Sequence, residues 1–422
     1  MRRFVHRVLR RTRGGHLQIA EGKRSYEFGD PEAELRAQVE IHSTRAYRNI
    51  LRGSTGLGEA YVDGRWTSDD PVAVVRLACR NLAPFDRLGA RLRPIKGPLT
   101  QLARWVPANT RERARRHIAA HYDLGNRLFE AFLDERMVYS CAYYERPDVS
   151  LEEAQLAKLE RICERLELTH DDHLVEIGTG WGGLAIHAAA TRGCRVTTTT
   201  ISREQHAHAT RRVAEEGLAD RVEVLFRDYR DLHARYDKLV SIEMIEAVGW
   251  QYFPVFFSKC AELLRDGGLM FLQAIACPDH LYEQQKTART FANKHVFPGG
   301  CLPSQALIAQ QTARNGMHTE WAEEISSHYA LTLGAWRERF NRAWPQLELF
   351  GYDERFKRLW NFYLAHCEAG FRERRLRDLQ MVVAKPGSRR RPAFRSVPAQ
   401  VSSGASSPGH APVARANALR EA

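Results

Sequence analysis

No part of this 422-residue chain offers the roughly 18 consecutive apolar residues that a membrane-crossing helix needs. The run from Met1 to Arg11 interleaves arginine with apolar residues, so the unbroken apolar segment of a secretory leader is missing as well. Eight cysteines are scattered along the chain, with no C-x-x-C pair and no histidine pair at metal-ligand spacing. That excludes a disulfide framework and a zinc site, and fits reduced cytoplasmic thiols. Acidic residues are in deficit: 51 aspartates and glutamates face 63 lysines and arginines, a net charge of +12. Such a balance suits an anionic partner, nucleic acid or phospholipid, although a merely soluble basic enzyme would show it too. The expected location is cytoplasmic, peripheral at the inner membrane surface.

What is present centres on His173–Gly183, H-L-V-E-I-G-T-G-W-G-G. The apolar run Leu174–Ile177 reads as a buried parallel strand, and Leu184–Thr191 as a helix. A strand, a glycine turn and a helix N-terminus let a polar ligand rest on bare backbone. Gly178, Gly180 and Gly183 also satisfy the dinucleotide fingerprint. Two features point away from NAD. Glu176 sits inside the strand end, where a carboxylate makes poor core but a good partner for a cationic ligand. The stretch Arg195–Ser202 lacks the acid that a dinucleotide ribose requires about 20 residues on.

Around that centre the chain divides into a basic segment 1–25, a small domain 26–110, a catalytic domain 111–385 and a disordered Ser/Pro/Ala/Gly/Arg tail 386–422. Phe4, Val5, Val8 and Leu9 share one helical face beside Arg3, Arg7, Arg10 and Arg11, which fits an interfacial helix or a frayed basic tail. A strand is expected near 40–42 and a helix over 72–82. Arginine-rich 87–116, with three prolines, reads as a linker or surface lobe. Leu151–Leu166 is amphipathic. Strands are then expected over 195–199, 222–226, 238–243 and 269–275, with helices near 203–216 and 251–264: a doubly wound parallel sheet. A mostly helical stretch over 281–313 and two late strands, 318–325 and 380–384, complete the pattern.

Six motifs, in order, resemble those of the cyclopropane-fatty-acyl-phospholipid synthases, the group that includes the mycolic acid cyclopropane synthases. They are H-Y-D-L-G-N (121–126), Y-S-C-A-Y (139–143), E-I-G-T-G-W-G-G (176–183), S-I-E-M-I-E-A-V-G (241–249), F-P-G-G-C-L-P-S (297–304) and C-E-A-G-F (367–371). The resemblance implies a class I S-adenosylmethionine (SAM) methyltransferase sheet, with a smaller N-terminal domain and helical inserts over the active site. It implies transfer of SAM's methyl carbon to a cis double bond of a phospholipid acyl chain, followed by loss of a methyl proton and ring closure. The base implied is a bound bicarbonate.

Residue by residue, the resemblance assigns Glu176, Gly178, Gly180, Trp181 and Gly182 to the SAM loop. It places Tyr139 and Ser140 over the methionine end, Thr200 and Gln205 in the turn after the second strand, and Asp228 and Tyr229 beside adenine. Bicarbonate would be held by Cys141, Glu246, Tyr329 and a backbone group, assigned to Ile275. Gln273 stands where the family has histidine, and Ala247 where it often has another. A glutamine cannot carry positive charge, so anion binding is expected to be weaker. Phe297 and Tyr363 are expected to line the acyl channel, with Tyr139, Tyr143 and Trp360 as further aromatic candidates.

Read without the resemblance, Cys141 fits a buried thiol, but its place beside Tyr139 and Ser140 favours a functional one. Glu243 and Glu246 are spaced for one helical face, which could be a solvated surface, but their place after an apolar strand favours a pocket. A rival activity stops before ring closure and gives a methyl- or methylene-branched acyl chain. Methylation of a small amine is a second rival, and a scaffold without activity a third. The expected partner is unsaturated phospholipid at the membrane surface. A nucleic acid is not expected, because Ser241–Met244 lacks the N/D-P-P-Y/F motif of adenine methylation; a homodimer is allowed.

Overall fold

Short alternating runs near the N-terminus build the first sheet. A computed structural model describes residues 1–82 and 125–388. The linker 87–116, the start of the H-Y-D-L-G-N motif and the tail beyond 388 lie outside the described residues. Strand β1 (His16–Glu21) turns through Gly22 (φ +59°) into antiparallel β2 (Arg24–Gly29), with Leu17 and Ile19 facing the core. Strand β3 (Arg36–Ile41) runs parallel to β1, and short β4 (Trp66–Thr67) closes the order β2-β1-β3-β4. A helix does form at Arg2–Leu9, but its apolar residues are split. Val5 is buried in the core, whereas Phe4 and Val8 stay exposed beside Arg3, Arg7, Arg10 and Arg11.

The second sheet has seven strands: β5 (His173–Ile177), β6 (Arg195–Thr200), β7 (Val222–Phe226), β8 (Tyr236–Ile242), β9 (Leu264–Ala276), β10 (His318–Glu324) and β11 (Arg377–Ala384). Their order is β10-β11-β9-β8-β5-β6-β7. The five from β9 to β7 are parallel, and β11 and β10 add antiparallel to the β9 edge. This is the expected mostly parallel α/β sheet. Buried apolar residues cover both faces, Leu174 and Val240 on one and Val175 and Leu239 on the other, as a parallel sheet requires.

Local chemistry fixes the helices between strands. Ser150 and Glu153 form a reciprocal capping box that starts Leu151–Arg165, and Ser202 caps Arg203–Glu215. The stretch 281–313 breaks into three helices, Tyr282–Gln285, Phe291–His295 and Gln305–Arg314, with F-P-G-G-C-L-P-S as a loop between the last two. Two long helices, Ser326–Leu349 and Glu354–Arg372, pack on each other and roof the carboxyl ends of the strands.

The N-terminal layer holds this roof from outside. Glu59 pairs with Lys294 and His295, Thr55 donates to the Arg289 carbonyl at 3.0 Å, and Phe291 packs on Phe362.

Candidate active site

The carboxyl ends of β5, β6, β8 and β9, the F-P-G-G loop and the two roof helices enclose a cavity of 530 Å³. At one end the chain leaves β5 through Gly178 (φ +107°), Gly180 (φ +53°) and Gly182 (φ +89°), left-handed conformations that side chains resist. A Cβ built on Gly180 would meet nothing within 4 Å, so this turn borders open space. Gly178, Gly180 and Trp181 line the cavity. Gly182 does not: it caps Gly183–Arg192 and faces Ala209. The Trp181 indole N–H donates to Asn126 Oδ1, which ties the last residue of H-Y-D-L-G-N to the loop.

Glu176 is buried at the end of β5, directly across from Thr198, whose hydroxyl donates to its Oε2 at 2.6 Å. With that single donor against full burial, its carboxyl is pushed up to about 8. Thr200 and Gln205 meet through a 2.9 Å side-chain hydrogen bond and face the same space, as do Tyr139 and Ser140. Asp228, buried, is paired with Arg230, and Tyr229 packs edge-on against Phe256; both line the cavity.

The other end is built on residues that follow β8. Glu243 and Glu246 are not on a helical face: Glu243 sits in a left-handed turn (φ +47°) and Glu246 in a single 3-10 turn. Both are half-buried and line the cavity. Glu243 Oε1 accepts from the Cys141 main-chain N–H (2.8 Å) and from Gln273 Nε2 (2.8 Å), and its Oε2 accepts from the Tyr329 hydroxyl (2.5 Å). Glu246 Oε1 accepts from the Ile275 N–H at 2.5 Å, while its buried Oε2 has no hydrogen-bond partner. Burial and the neighbouring Glu243 push the Glu246 carboxyl up to about 8.

Behind this wall lie residues that the sequence reading missed. Gln273 uses its second N–H on Asp378 Oδ2 (3.1 Å), and its oxygen accepts from Gln380 (3.0 Å). Lys158, fully buried, donates to Ser140 Oγ at 2.6 Å. Burial lowers its pKa; Glu243, Cys141, Asp134 and Asp378 oppose that. The Cys141 thiol is driven well up by burial and by the Asp378 and Glu243 charges, so it stays protonated. What Cys141 contributes is its main-chain N–H. Lys158 reads in sequence as one more charge on an amphipathic helix, and no local signal turns it inward.

Aromatic rings line the space beyond Glu243. The Tyr139 and Tyr363 hydroxyls are 3.1 Å apart, and Phe297 stacks on Tyr139 and meets Tyr363 edge-on. Tyr143 instead stacks on His328, and Trp360 is sealed in the core, so neither reaches the cavity.

The fold and this glycine-loop site define a SAM-dependent methyltransferase. The mycolic acid cyclopropane synthetase family model matches residues 109–381, and the chain belongs to that family. It is 41% identical over 402 residues to the tuberculostearic acid methyltransferase UfaA1 of Mycobacterium tuberculosis, covering 91% of each chain. It is 37% identical over 360 residues to the cyclopropane-fatty-acyl-phospholipid synthase of Escherichia coli, covering 83% of this chain and 88% of that one. Among solved structures, the mycolic acid cyclopropane synthase CmaA1 complexed with SAH and CTAB superposes with a TM-score of 0.60 at 29% identity. That match covers 64% of this chain and 98% of CmaA1.

Proposed function

We propose that this enzyme attaches the methyl carbon of SAM to a cis double bond of a phospholipid acyl chain and closes a cyclopropane ring. One observation carries the reading. A single cavity joins the glycine loop to an aromatic-lined end formed by Tyr139, Phe297, Tyr329 and Tyr363, with two carboxyl groups between them. An alkene is a weak nucleophile, so the reaction needs a strong electrophile, alignment and exclusion of water. The cation that forms is stabilised by ring faces.

The residues present fit SAM. Glu176 has room for a hydroxyl or cationic partner, Gly180 leaves open space, and Thr200 and Gln205 offer polar contacts. When bound, SAM supplies a methyl carbon on a positively charged sulfur. Around it, Trp181 and Ser140 close the site, and Phe297 and Tyr363 hold the acyl chain in line. The bicarbonate that the resemblance implies fits poorly. The Cys141, Gln273 and Tyr329 donors all serve Glu243, and the Ile275 N–H serves Glu246.

The 41% identity to a tuberculostearic acid methyltransferase favours a second outcome, a methyl- or methylene-branched chain. Both products share every step up to the cation. Incubation with labelled SAM and vesicles of cis-unsaturated phospholipid, followed by chromatography of the released acyl chains, separates them. The expected result is a labelled cyclopropane; a labelled branched chain selects the second reading. Absence of label from lipid overturns both.

The membrane contact is proposed at the helix Arg2–Leu9, where Met1, Phe4 and Val8 are exposed beside four exposed arginines. Sedimentation with anionic vesicles should weaken several-fold when Phe4 and Val8 become serine, and should weaken with salt. Among the described residues no helix is long and apolar enough to cross a membrane.

A further inference from the structure

We infer that the Glu243 carboxylate stands in place of a bound bicarbonate and is itself the base that removes the proton after methyl transfer; this rests on the acyl-chain reading above. Four groups were expected to donate to an anion. Three of them, the Cys141 N–H, Gln273 Nε2 and the Tyr329 hydroxyl, converge on the two oxygens of Glu243, and the fourth, the Ile275 N–H, is taken by Glu246. A carboxylate and a bicarbonate present the same pair of acceptor oxygens. The protein has tethered the one at the position assigned to the other.

Two further observations support this. Glu243 holds φ +47°, a conformation that a residue with a β-carbon resists and that persists where the surroundings over-determine it. Glycine would adopt it freely, so local folding does not call for a glutamate here. Second, Gln273 is explained. Its NH2 group bridges the Glu243 and Asp378 carboxylates with one proton each, which neither nitrogen of a histidine could do alone.

Glu243, Glu246 and Asp378 share one enclosed region with Lys158. Burial raises the Glu243 carboxyl while its three donors and the Lys158 charge work against that; Glu246 has one donor, so of the two Glu243 is better furnished to ionise. Burial and the neighbouring Glu243 and Glu246 hold the Asp378 carboxyl well above its usual range.

The alkene π pair forms a bond to the methyl carbon, and the C–S pair stays on sulfur, leaving neutral S-adenosylhomocysteine and a cation on the neighbouring acyl carbon. Glu243 takes one proton from the new methyl group. The freed C–H pair closes the third ring bond, and Glu243 is left as a carboxylic acid until the proton is released to solvent.

The test uses the full-length enzyme, unsaturated phospholipid vesicles and SAM in carbonate-free buffer. Wild type should keep its rate within about twofold whether or not bicarbonate is added. Glu243→Gln should lose at least about a hundredfold in kcat, the range of a missing general base, with KM for SAM within about threefold. Glu243→Gly removes the strain and opens a carboxyl-sized space; it should be slow without bicarbonate and regain at least about tenfold when millimolar bicarbonate is added. A wild type that needs added bicarbonate, or a Glu243→Gln enzyme within about threefold of wild type, overturns the inference while leaving the acyl-chain reading intact. No lipid product from wild type under any condition overturns that reading, and the inference with it.

Discussion

Glu176, buried, and Glu243, half-buried, are carboxylates at the carboxyl ends of two parallel strands, yet they are furnished in opposite ways. Glu176 sits on regular strand backbone, with one donor from Thr198. Glu243 sits on a left-handed turn, with three donors and Lys158 in the same region. An under-furnished carboxylate is made to be completed by a ligand. A fully furnished one is held in place without one. One cavity thus holds a group that waits for its partner beside one whose partners are built in.

The comparison breaks most visibly if the built-in partner is removed. Lys158→Met removes the donor to the Ser140 hydroxyl and a cation that opposes the burial of Glu243, and should cost up to about 3 kcal/mol of stability, read by denaturant unfolding. An unchanged midpoint would show that Lys158 does not balance the cluster. At the other end, Gly180→Val puts a branched side chain into the open space of the loop, against a positive φ. SAM affinity by calorimetry should fall at least about a hundredfold, roughly 2.8 kcal/mol, in a protein that still folds.

Gln273→His sharpens the contrast, because one of the two bridged carboxylates loses its donor. A buried charged group left short of a hydrogen bond costs about 1–3 kcal/mol, so both the unfolding midpoint and turnover should drop, and bicarbonate should not restore turnover.

The smallest effect concerns pH. Glu176 and Glu246 titrate near 8 in the folded protein, well above their ordinary range. Between that range and about 8, the folded chain therefore holds protons that the unfolded chain has released. Stability of the SAM-free enzyme should fall as pH rises through this window and level off above it. A cationic ligand favours ionised Glu176, so SAM should bind more tightly as pH climbs from 7 to 8. In Glu176→Gln that slope should flatten, with affinity down about tenfold. A slope that survives the substitution would assign the proton elsewhere.

The large sheet was legible because parallel strands are apolar on both faces: Leu174–Ile177 and Leu269–Ile275 announce themselves as short runs. The glycine loop was legible because close backbone turns admit few residue types. Glu243 was visible as a residue but not as a role, since acids three apart look alike on a helical face and on a turn. Lys158 and Asp378 were hidden for a related reason. Amphipathic patterning marks a charge as outward, and only packing of Leu151–Arg165 against the site reveals the exception. The β1–β2 hairpin escaped because half its residues are polar and its turn is short.

The Glu59 tether has a consequence for how this chain can be cut. The amino-terminal helices Gly53–Val62 and Pro71–Arg80, with the residues just after them, supply Ser54, Cys79 and Leu82 to the cavity wall, and Glu59 on the first of them clamps Lys294 and His295, just before Phe297. The face of Phe291 and Phe362 that packs under Gly58 would be bare without it. A fragment trimmed to the family-matched stretch would therefore be sticky and leaky at once, with greasy surface on the outside and a water inlet beside the reacting carbon. The amino-terminal layer is thus a wall of the cavity and not a detachable handle.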